Sequence, residues 1–334
     1  MRVIHIGLGK TATTSLQNSV FSELPEIIPD LQYNPEDLVE ACARAHILGE
    51  NFEFNDLLNK YENLFISSEL LVNWDPHMWE YAANKNKEIF GSQSTIIITI
   101  RDSVDWLTSL YQQMVQQGWV IEPHEFFIET QEYLGLRESK QLRNLDAFDI
   151  DSFNIERLHK IYTSRFKRVF IVHMQDILSM SFLKEIYSLN NSDVIFLSNL
   201  FKEVPFENKA FSSSAMRLTF FRERFLKRLN LQSYNSQCGR RKKHLLLDSK
   251  KRYKQKEGEF KKKKMFFYFK KALPTKFKEK IKCFFYWRCF IQNIFDKVAP
   301  YRKYSLPKDI LKRMKSVKRK NDSYALKIRH RTNR

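Results

Sequence analysis

Short runs of consecutive apolar residues alternate along this chain with stretches in which apolar residues return every third or fourth place. The first run is Val3-Ile4-His5-Ile6. The second spans residues 63–69 (Asn-Leu-Phe-Ile-Ser-Ser-Glu), the third residues 94–100 (Ser-Thr-Ile-Ile-Ile-Thr-Ile) and the fourth Val169 to Val172. The third is β-branched and leaves no polar face, as a central parallel strand covered on both sides requires. Between the runs the spacing is helical. Leu16, Gln17 and Val20 follow the first; Leu38, Val39, Ala41, Cys42, Ala45 and Leu48 mark a helix over 36–61. Further helices are predicted over 76–90, with Pro76 near its start, and over 103–117, 154–165 and 179–189. Residues 208–229 carry Ser212-Ser213-Ser214 as a cap and then run as a helix, and 305–328 return to a helical pattern. No internal repeat is visible. Strand–helix alternation of this kind predicts an α/β fold: a three-layer sandwich with a central parallel sheet and helices on both faces. Ligands of such sheets sit beyond the C-terminal ends of the strands. Lys10, Glu69 and Arg101 all follow strand ends, so they can meet on one edge.

Length and charge change this picture at one place. A chain of 334 residues with 43% hydrophobic residues suits one large domain, or one domain plus an appendage. The net charge of +19 is uneven. Residues 239–334 hold 34 Lys and Arg against 7 Asp and Glu, so the remaining 1–238 are net acidic. The expected division is therefore a core at 1–238 and a basic, aromatic-rich helical appendage at 239–334 that partly completes the core domain. The four cysteines (Cys42, Cys238, Cys283, Cys289) have no C-x-x-C spacing, which suits a reduced, cytoplasmic setting. The first strand leaves no room for a signal peptide, and no run of about 18 apolar residues predicts a membrane span.

The first strand leads into Gly7-Leu8-Gly9, then Lys10-Thr11-Ala12-Thr13-Thr14-Ser15. A strand, a small-residue loop with one lysine and a helix opening in hydroxyl residues make an anion-binding device. Loop N–H groups and the helix dipole converge on one spot, and Lys10 adds a full positive charge. The expected ligand is a phosphate or sulfate group. A Walker A loop, G-x-x-x-x-G-K-[ST], is matched at Gly9-Lys10-Thr11, but Ile4 stands where its first glycine belongs. The plainer reading is an ordinary strand-to-helix turn with a surface lysine.

A second anion-binding pattern lies at Arg101-Asp102-Ser103-Val104-Asp105-Trp106-Leu107-Thr108-Ser109-Leu110-Tyr111. An arginine at a strand end and a serine eight residues on, inside the following helix, can hold one phosphate between a guanidinium fork and a hydroxyl. The plainer reading pairs Arg101 with Asp102 or Asp105 and leaves Ser109 on a helix surface.

Lys10 through Gln17 resembles the phosphosulfate loop of carbohydrate-type sulfotransferases, with Ala12 where that family usually has glycine. Arg101, Ser109 and the nearby Tyr111 are similar to its 3′-phosphate segment. The resemblance covers residues 1–20, 63–70 and 94–111, and 168–229 more loosely. It implies a P-loop-like fold and the donor 3′-phosphoadenosine 5′-phosphosulfate, held by Lys10, Thr11, Ala12, Thr13, Thr14, Ser15, Arg101 and Ser109, with no metal. Arg240 and Arg241 after Gly239 resemble the basic loop that completes the 3′-phosphate site in some members. Lys10 would stabilise the leaving phosphate. Ser67-Ser68-Glu69 resembles the segment in which glycan sulfotransferases carry their base, which makes Glu69 the candidate base against an equal reading as a pocket-shaping ion-pair partner. His5, His46 and His77 are the alternatives, with His5 read as a satisfied core residue. Trp74, His77, Tyr111 and Trp119 are candidate acceptor contacts; each aromatic taken singly also reads as core packing. Residues 122–150 are polar and aromatic and are expected as an insertion over the active face.

Residues 260–295 carry twelve aromatics among many lysines. They read as an anionic-membrane contact, an acidic-polysaccharide dock or a nucleic-acid platform, set against a helical hairpin with aromatics inside and lysines outside. The last, with some membrane-surface attraction, is preferred, and nucleic acid ranks lowest. The resemblance implies a sulfotransferase acting on a hydroxyl, or in second place an amine, of a carbohydrate or glycolipid. It is expected in the cytoplasm, with a peripheral place at the inner membrane face. The alternatives are a P-loop small-molecule kinase and a non-catalytic nucleotide fold that binds membrane or nucleic acid.

Overall fold

The computed structural model describes residues 1–139, 147–203, 210–228, 291 and 301–332. Two compact units result. One takes in the described residues of Met1–Leu110, Pro123–Asn208 and Pro307–Arg334; the other takes in those of Tyr111–Glu122 and Lys209–Leu306.

The first unit is built on five parallel strands: β1 (Arg2–His5), β2 (Leu31–Tyr33), β3 (Asn63–Ser67), β4 (Thr95–Ile100) and β7 (Arg168–His173), in the order β2-β3-β1-β4-β7. A separate parallel pair joins β5 (Phe127–Ile128) to β6 (Phe148–Asp149). β1 pairs with β3 on one side (His5 opposite Ser67) and with β4 on the other (His5 opposite Ile97). All six residues of β4 are buried, as its unbroken β-branched run predicts. The chain first winds from β1 out to β2 and back to β3, then crosses to β4. The sheet thus reverses its winding beside β1, and the C-terminal ends of β3, β1 and β4 open side by side at that switch point.

Thirteen helices are described. They are α1 (Thr13–Ser19), α2 (Leu24–Ile27), α3 (Glu36–Leu48), α4 (Phe54–Leu58), α5 (Trp79–Phe90), α6 (Ser103–Gln116), α7 (Pro123–Phe126), α8 (Thr130–Glu138), α9 (Ile155–Thr163), α10 (Ser181–Tyr187), α11 (Asn191–Glu203), α12 (Ser213–Arg228) and α13 (Lys308–Thr332). One face of the sheet, through Val3, Phe65, Ile97 and Val172, shares a buried cluster with Leu16 of α1, Val20 and Phe21 just after it, and Leu183, Ile186 and Leu197 of α10 and α11. Alternate strand positions such as Ile4, Ile66, Ile96 and Ile98, all buried, point to the opposite face. The α/β fold with a central parallel sheet flanked by helices is as the apolar pattern predicts.

Several elements differ from that pattern in detail. The single helix expected over 36–61 is two, because Gly49 ends α3 in the left-handed conformation (φ 64°). Only glycine takes that conformation without a Cβ penalty. The helix expected over 179–189 is a 3₁₀ turn (Met174–Ser179) followed by α10, with Met180 at φ 47° between them. The three-residue edge strand β2 and helix α11 were not foreseen. Residues 122–150 hold α7, β5, α8 and β6 among the described positions, tied to the segment after β3. Tyr133 donates to Asp75 at 2.6 Å, and His77 lies 2.9 Å from Asp149.

Within the second unit, Tyr111 is fully buried, donates to the Ile121 carbonyl (2.7 Å) and stacks against Tyr304 (6.2 Å between centroids). Ser212 accepts from the Ala215 N–H at 3.1 Å, the cap expected there.

The basic C-terminal part of the sequence contributes α13, which packs on α9 in the unit that holds the sheet. Its anchor is Asn321, 5% exposed. Asn321 accepts from the Ile155 N–H (3.0 Å) and donates to Ser103 Oγ (2.9 Å) and the Phe153 carbonyl (3.1 Å). Lys318 pairs with Asp102. Burial alone would raise the Asp102 carboxyl, but the Lys318 ammonium and neighbouring backbone N–H groups hold it below the usual carboxylate range. Asn321→Ala leaves one buried donor and two acceptors unpaired and is expected to cost about 2–3 kcal/mol of stability in urea unfolding. A loss below about 0.5 kcal/mol would mean that apolar packing alone docks α13.

Candidate functional site

The loop after β1 holds itself in an unfavourable backbone. Lys10 (φ 71°) and Ala12 (φ 61°) are both left-handed, at about 1–2 kcal/mol each for a residue with a Cβ. The sequence comparison with a glycine-bearing loop pointed at Ala12, and the structure confirms that this position has positive φ; Lys10 was not suspected. Thr11 between them is fully buried. Its hydroxyl donates to the Leu8 carbonyl (2.5 Å) and meets Thr99 Oγ1 of β4 (2.7 Å). Trp106 of α6 donates its indole N–H to the Gly9 carbonyl at 2.7 Å. Thr11 and Trp106 thus pin the loop from β4 and α6.

Gly7 is the closest approach. A Cβ there would lie 2.3 Å from Thr99 Oγ1, 2.4 Å from Thr13 Cγ2 and 2.8 Å from His5 Nε2. A Cβ on Gly9 would come within 3.1 Å of Glu69 Oε2 and 3.3 Å of the Trp74 ring. Glu69 and Trp74 therefore lie directly over the loop. Thr13, buried at the start of α1, donates its hydroxyl to Glu69 Oε1. Thr14 is exposed and Ser15 half-buried on the same first turn. Ala12, in the N-cap position, has no side chain that could accept from the first N–H groups of α1.

Arg101 follows β4 and reaches back to the loop, with Nη1 3.5 Å from the Lys10 carbonyl, the outer limit of a hydrogen bond. Its Nη2 stands 4.0 Å from Asp105 one turn along α6. Ser109, half-buried, lies one turn further on the same face. Asp102 faces Lys318 instead, so the pairing expected of Arg101 is realised with Asp105.

The other candidates are placed elsewhere. His77 is bonded to Asp149 and stacked on Tyr133 (4.9 Å, 13° between planes). Burial would raise the Asp149 carboxyl, but hydrogen bonds from His77 and Thr130 hold it low. Tyr111 and Trp119 are packed side chains of the second unit. His46 bonds Asn86 at 2.9 Å, and burial pushes its imidazole down to about 4. His5 is buried between Ser67 Oγ (2.7 Å) and Thr99 Oγ1 (3.1 Å), the satisfied core histidine expected. Arg240, Arg241 and the segment 260–295 lie outside the described residues. Among the described residues no cluster of His, Cys, Asp or Glu is arranged to hold a metal ion, and no helix is long and apolar enough to cross a membrane. Reasoning from sequence missed Trp106 and Thr99. A tryptophan five residues past a strand-end arginine, and a hydroxyl within an isoleucine-rich run, were the signals available.

Taken together, the ends of three adjacent strands carry a lysine loop, a carboxylate against the loop's hydroxyl and an arginine touching the loop from behind. Such an edge can bind a multiply charged anion and take a proton next to it.

No family model matches the chain, and no curated protein does. Among solved structures, a sulfotransferase from Alicyclobacillus acidocaldarius is similar at 15% identity and a TM-score of 0.37, over 68% of this chain and 93% of that one. The chemistry of this edge therefore rests on its own residues.

Gly7→Ala forces a methyl group into three buried side chains and is expected to cost about 3 kcal/mol, measured as a shift of the urea midpoint at unchanged slope. A variant as stable as the parent would show that the strand end has room to relax.

Proposed function

We propose that the chain is a sulfotransferase: it moves the sulfuryl group of 3′-phosphoadenosine 5′-phosphosulfate to a hydroxyl of a carbohydrate or glycolipid. The observation that carries this reading is the meeting of Lys10, Thr13, Glu69 and Arg101 at the ends of β1, β3 and β4. The Arg101 Nη1 lies 3.5 Å from the Lys10 carbonyl, and Thr13 bonds Glu69. A nucleotide with phosphates at both ends needs two cationic holds; Lys10 after β1 and Arg101 after β4, on neighbouring strands, would supply them. A kinase of the Walker A kind needs a longer loop, and Ile4 of the buried β1 occupies the place of its first glycine.

In this reading the Lys10 loop and Thr13 bind the 5′-phosphosulfate end, and Arg101 with Ser109 binds the 3′-phosphate. Glu69 takes the proton of the acceptor hydroxyl as the new S–O bond forms. The bond from sulfur to the bridging phosphate oxygen breaks, and its electron pair stays on the phosphate, where the Lys10 ammonium stabilises it. Positioning and charge stabilisation supply most of the rate, as in phosphoryl transfer. Trp74, over Gly9 beside Glu69, offers an aromatic face where a sugar ring would stand.

Calorimetric titration with adenosine 3′,5′-bisphosphate and with ATP tests the donor. Micromolar binding of the bisphosphate, with ATP weaker by about 100-fold, is expected; the reverse preference would make the kinase reading correct. Arg101→Ala is expected to weaken the bisphosphate by about 10–100-fold while leaving 5′-AMP within about threefold. Equal losses would remove Arg101 from the 3′-phosphate. Lys10→Ala and Glu69→Gln are each expected to lower turnover by about 100-fold or more. Glu69→Gln should not weaken the bisphosphate, because Thr13 exchanges residue 69 for the phosphate and an amide competes for that hydroxyl less than a carboxylate does. Normal turnover in either variant would reassign that residue's role.

A further inference from the structure

Beneath the Lys10 loop, six polar groups form one chain of hydrogen bonds. Gln17 Nε2 lies 3.0 Å from Ser67 Oγ, and Ser67 Oγ lies 2.7 Å from His5 Nδ1. His5 Nε2 is 3.1 Å from Thr99 Oγ1, which is 2.7 Å from Thr11 Oγ1, which is 2.5 Å from the Leu8 carbonyl. His5, Thr11, Ser67 and Thr99 are each at most 3% exposed, so water does not complete their bonding.

The inventory of donors fixes the direction of every bond. The Leu8 carbonyl only accepts, so the single hydroxyl proton of Thr11 points at it. Thr99 must then donate to Thr11. That uses the proton of Thr99, so Thr99 accepts from His5, and the His5 proton sits on Nε2. Burial keeps the imidazole neutral, pushing it down to about 3. Nδ1 is therefore a bare acceptor, and Ser67 donates to it. The Ser67 oxygen in turn accepts from the Gln17 amide. No group in the chain is left without a partner, and no proton is used twice.

The chain ends on the one residue where the loop needs holding. Thr11 stands between Lys10 and Ala12, both at positive φ. Its side chain ties that segment to β4, and His5 ties β4 to β3, the strand that leads to Glu69. Gly7 passes so close to Thr99 and His5 that a Cβ there would lie 2.3 Å from Thr99 Oγ1 and 2.8 Å from His5 Nε2.

We propose that His5 is a positioning residue: as the neutral Nε2–H tautomer it locks the Lys10 loop, through Thr99 and Thr11, in the conformation that receives the donor's anionic end. The proposal rests on the sulfuryl-transfer reading for the identity of the anion, but not for the lock itself. The residue touches no reacting atom. Its ring offers a donor to Thr99 and an acceptor to Ser67, which the fixed directions of those two hydroxyls require.

The test uses the full chain labelled at its histidines and backbone. Nitrogen shifts of His5 should show Nε2 protonated and Nδ1 bare; the opposite tautomer overturns the proposal. Thr99→Val keeps the volume and cuts the chain. The Cα shifts of Lys10 and Ala12 should then move from left-handed values toward averaged ones, and affinity for adenosine 3′,5′-bisphosphate should fall by about tenfold or more. Thr99→Ser, which restores the hydroxyl, should recover both readouts. Unchanged shifts and affinity in a folded Thr99→Val variant would overturn the lock. Parent protein that shows the expected tautomer and loop shifts but binds no bisphosphate would overturn the donor assignment alone, so the two failures are distinguishable.

Discussion

The parallel pairing of β1 between β3 and β4 is the constraint on which the rest depends. In a parallel sheet, neighbouring strands start and finish together, so whatever the chain places after each strand arrives at a common edge. Here the residues that follow are a lysine loop after β1, Glu69 two residues past β3 and Arg101 immediately past β4. None of these groups is near another in sequence. One residue of register slip would turn His5 and Thr99 to the opposite face of the sheet and dissolve both the edge and the polar chain beneath it. An apolar run buried on both faces, as β4 is, does not by itself choose that register; the polar side chains of His5, Ser67 and Thr99, which find partners on one face, do.

Burying polar groups under a binding loop is costly unless each finds a partner. The set beneath the Lys10 loop meets that condition completely, and in doing so it gains a direction. A row of leucines in the same place would fill the volume but would not choose between loop conformations. The hydroxyls of Thr11 and Thr99 do choose, because a bond of fixed donor and acceptor is made in one arrangement only. The left-handed residues Lys10 and Ala12 persist under this constraint, because a strained backbone is kept only where its surroundings over-determine it.

Much of this was legible in the sequence, and the parts that were not share a cause. Strands β1, β3 and β4 announce themselves because burial demands apolar runs; β7 shows the same kind of run although it lies at the sheet edge and is mostly half-buried. Lys10, Arg101 and Glu69 could be placed because each ends such a run. The short edge strand β2 could not, since three residues after Pro29-Asp30 carry no periodicity. The break at Gly49 was hidden by helical spacing that continues on both sides of it. Tyr111 illustrates a different failure: a family-like position next to a site suggested a substrate contact, whereas the structure gives its hydroxyl to the Ile121 carbonyl. Thr99 was read as one more β-branched residue in a strand. Its hydroxyl acquires meaning only when β1 is known to lie alongside, which is long-range information that local pattern does not contain.

The edge as it stands is also internally satisfied, and this bears on what can occupy it. Thr13 donates to Glu69, Asp105 stands beside Arg101, and Asp102 is held by Lys318. These are unequal holds. Arg101 and Asp105 are 4.0 Å apart and partly exposed, an arrangement that contributes little and opens easily. The Thr13 bond to Glu69 is half-buried and charge-assisted, so it is the stronger of the two. A ligand that takes the loop has to offer Thr13 an acceptor at least as good as a carboxylate. In the proposed reading a phosphate or sulfate oxygen makes that exchange and leaves Glu69 unengaged beside it, which a neutral group would not. In the proposed reading the same contact would therefore favour a strong anion and free Glu69 to act as the proton acceptor.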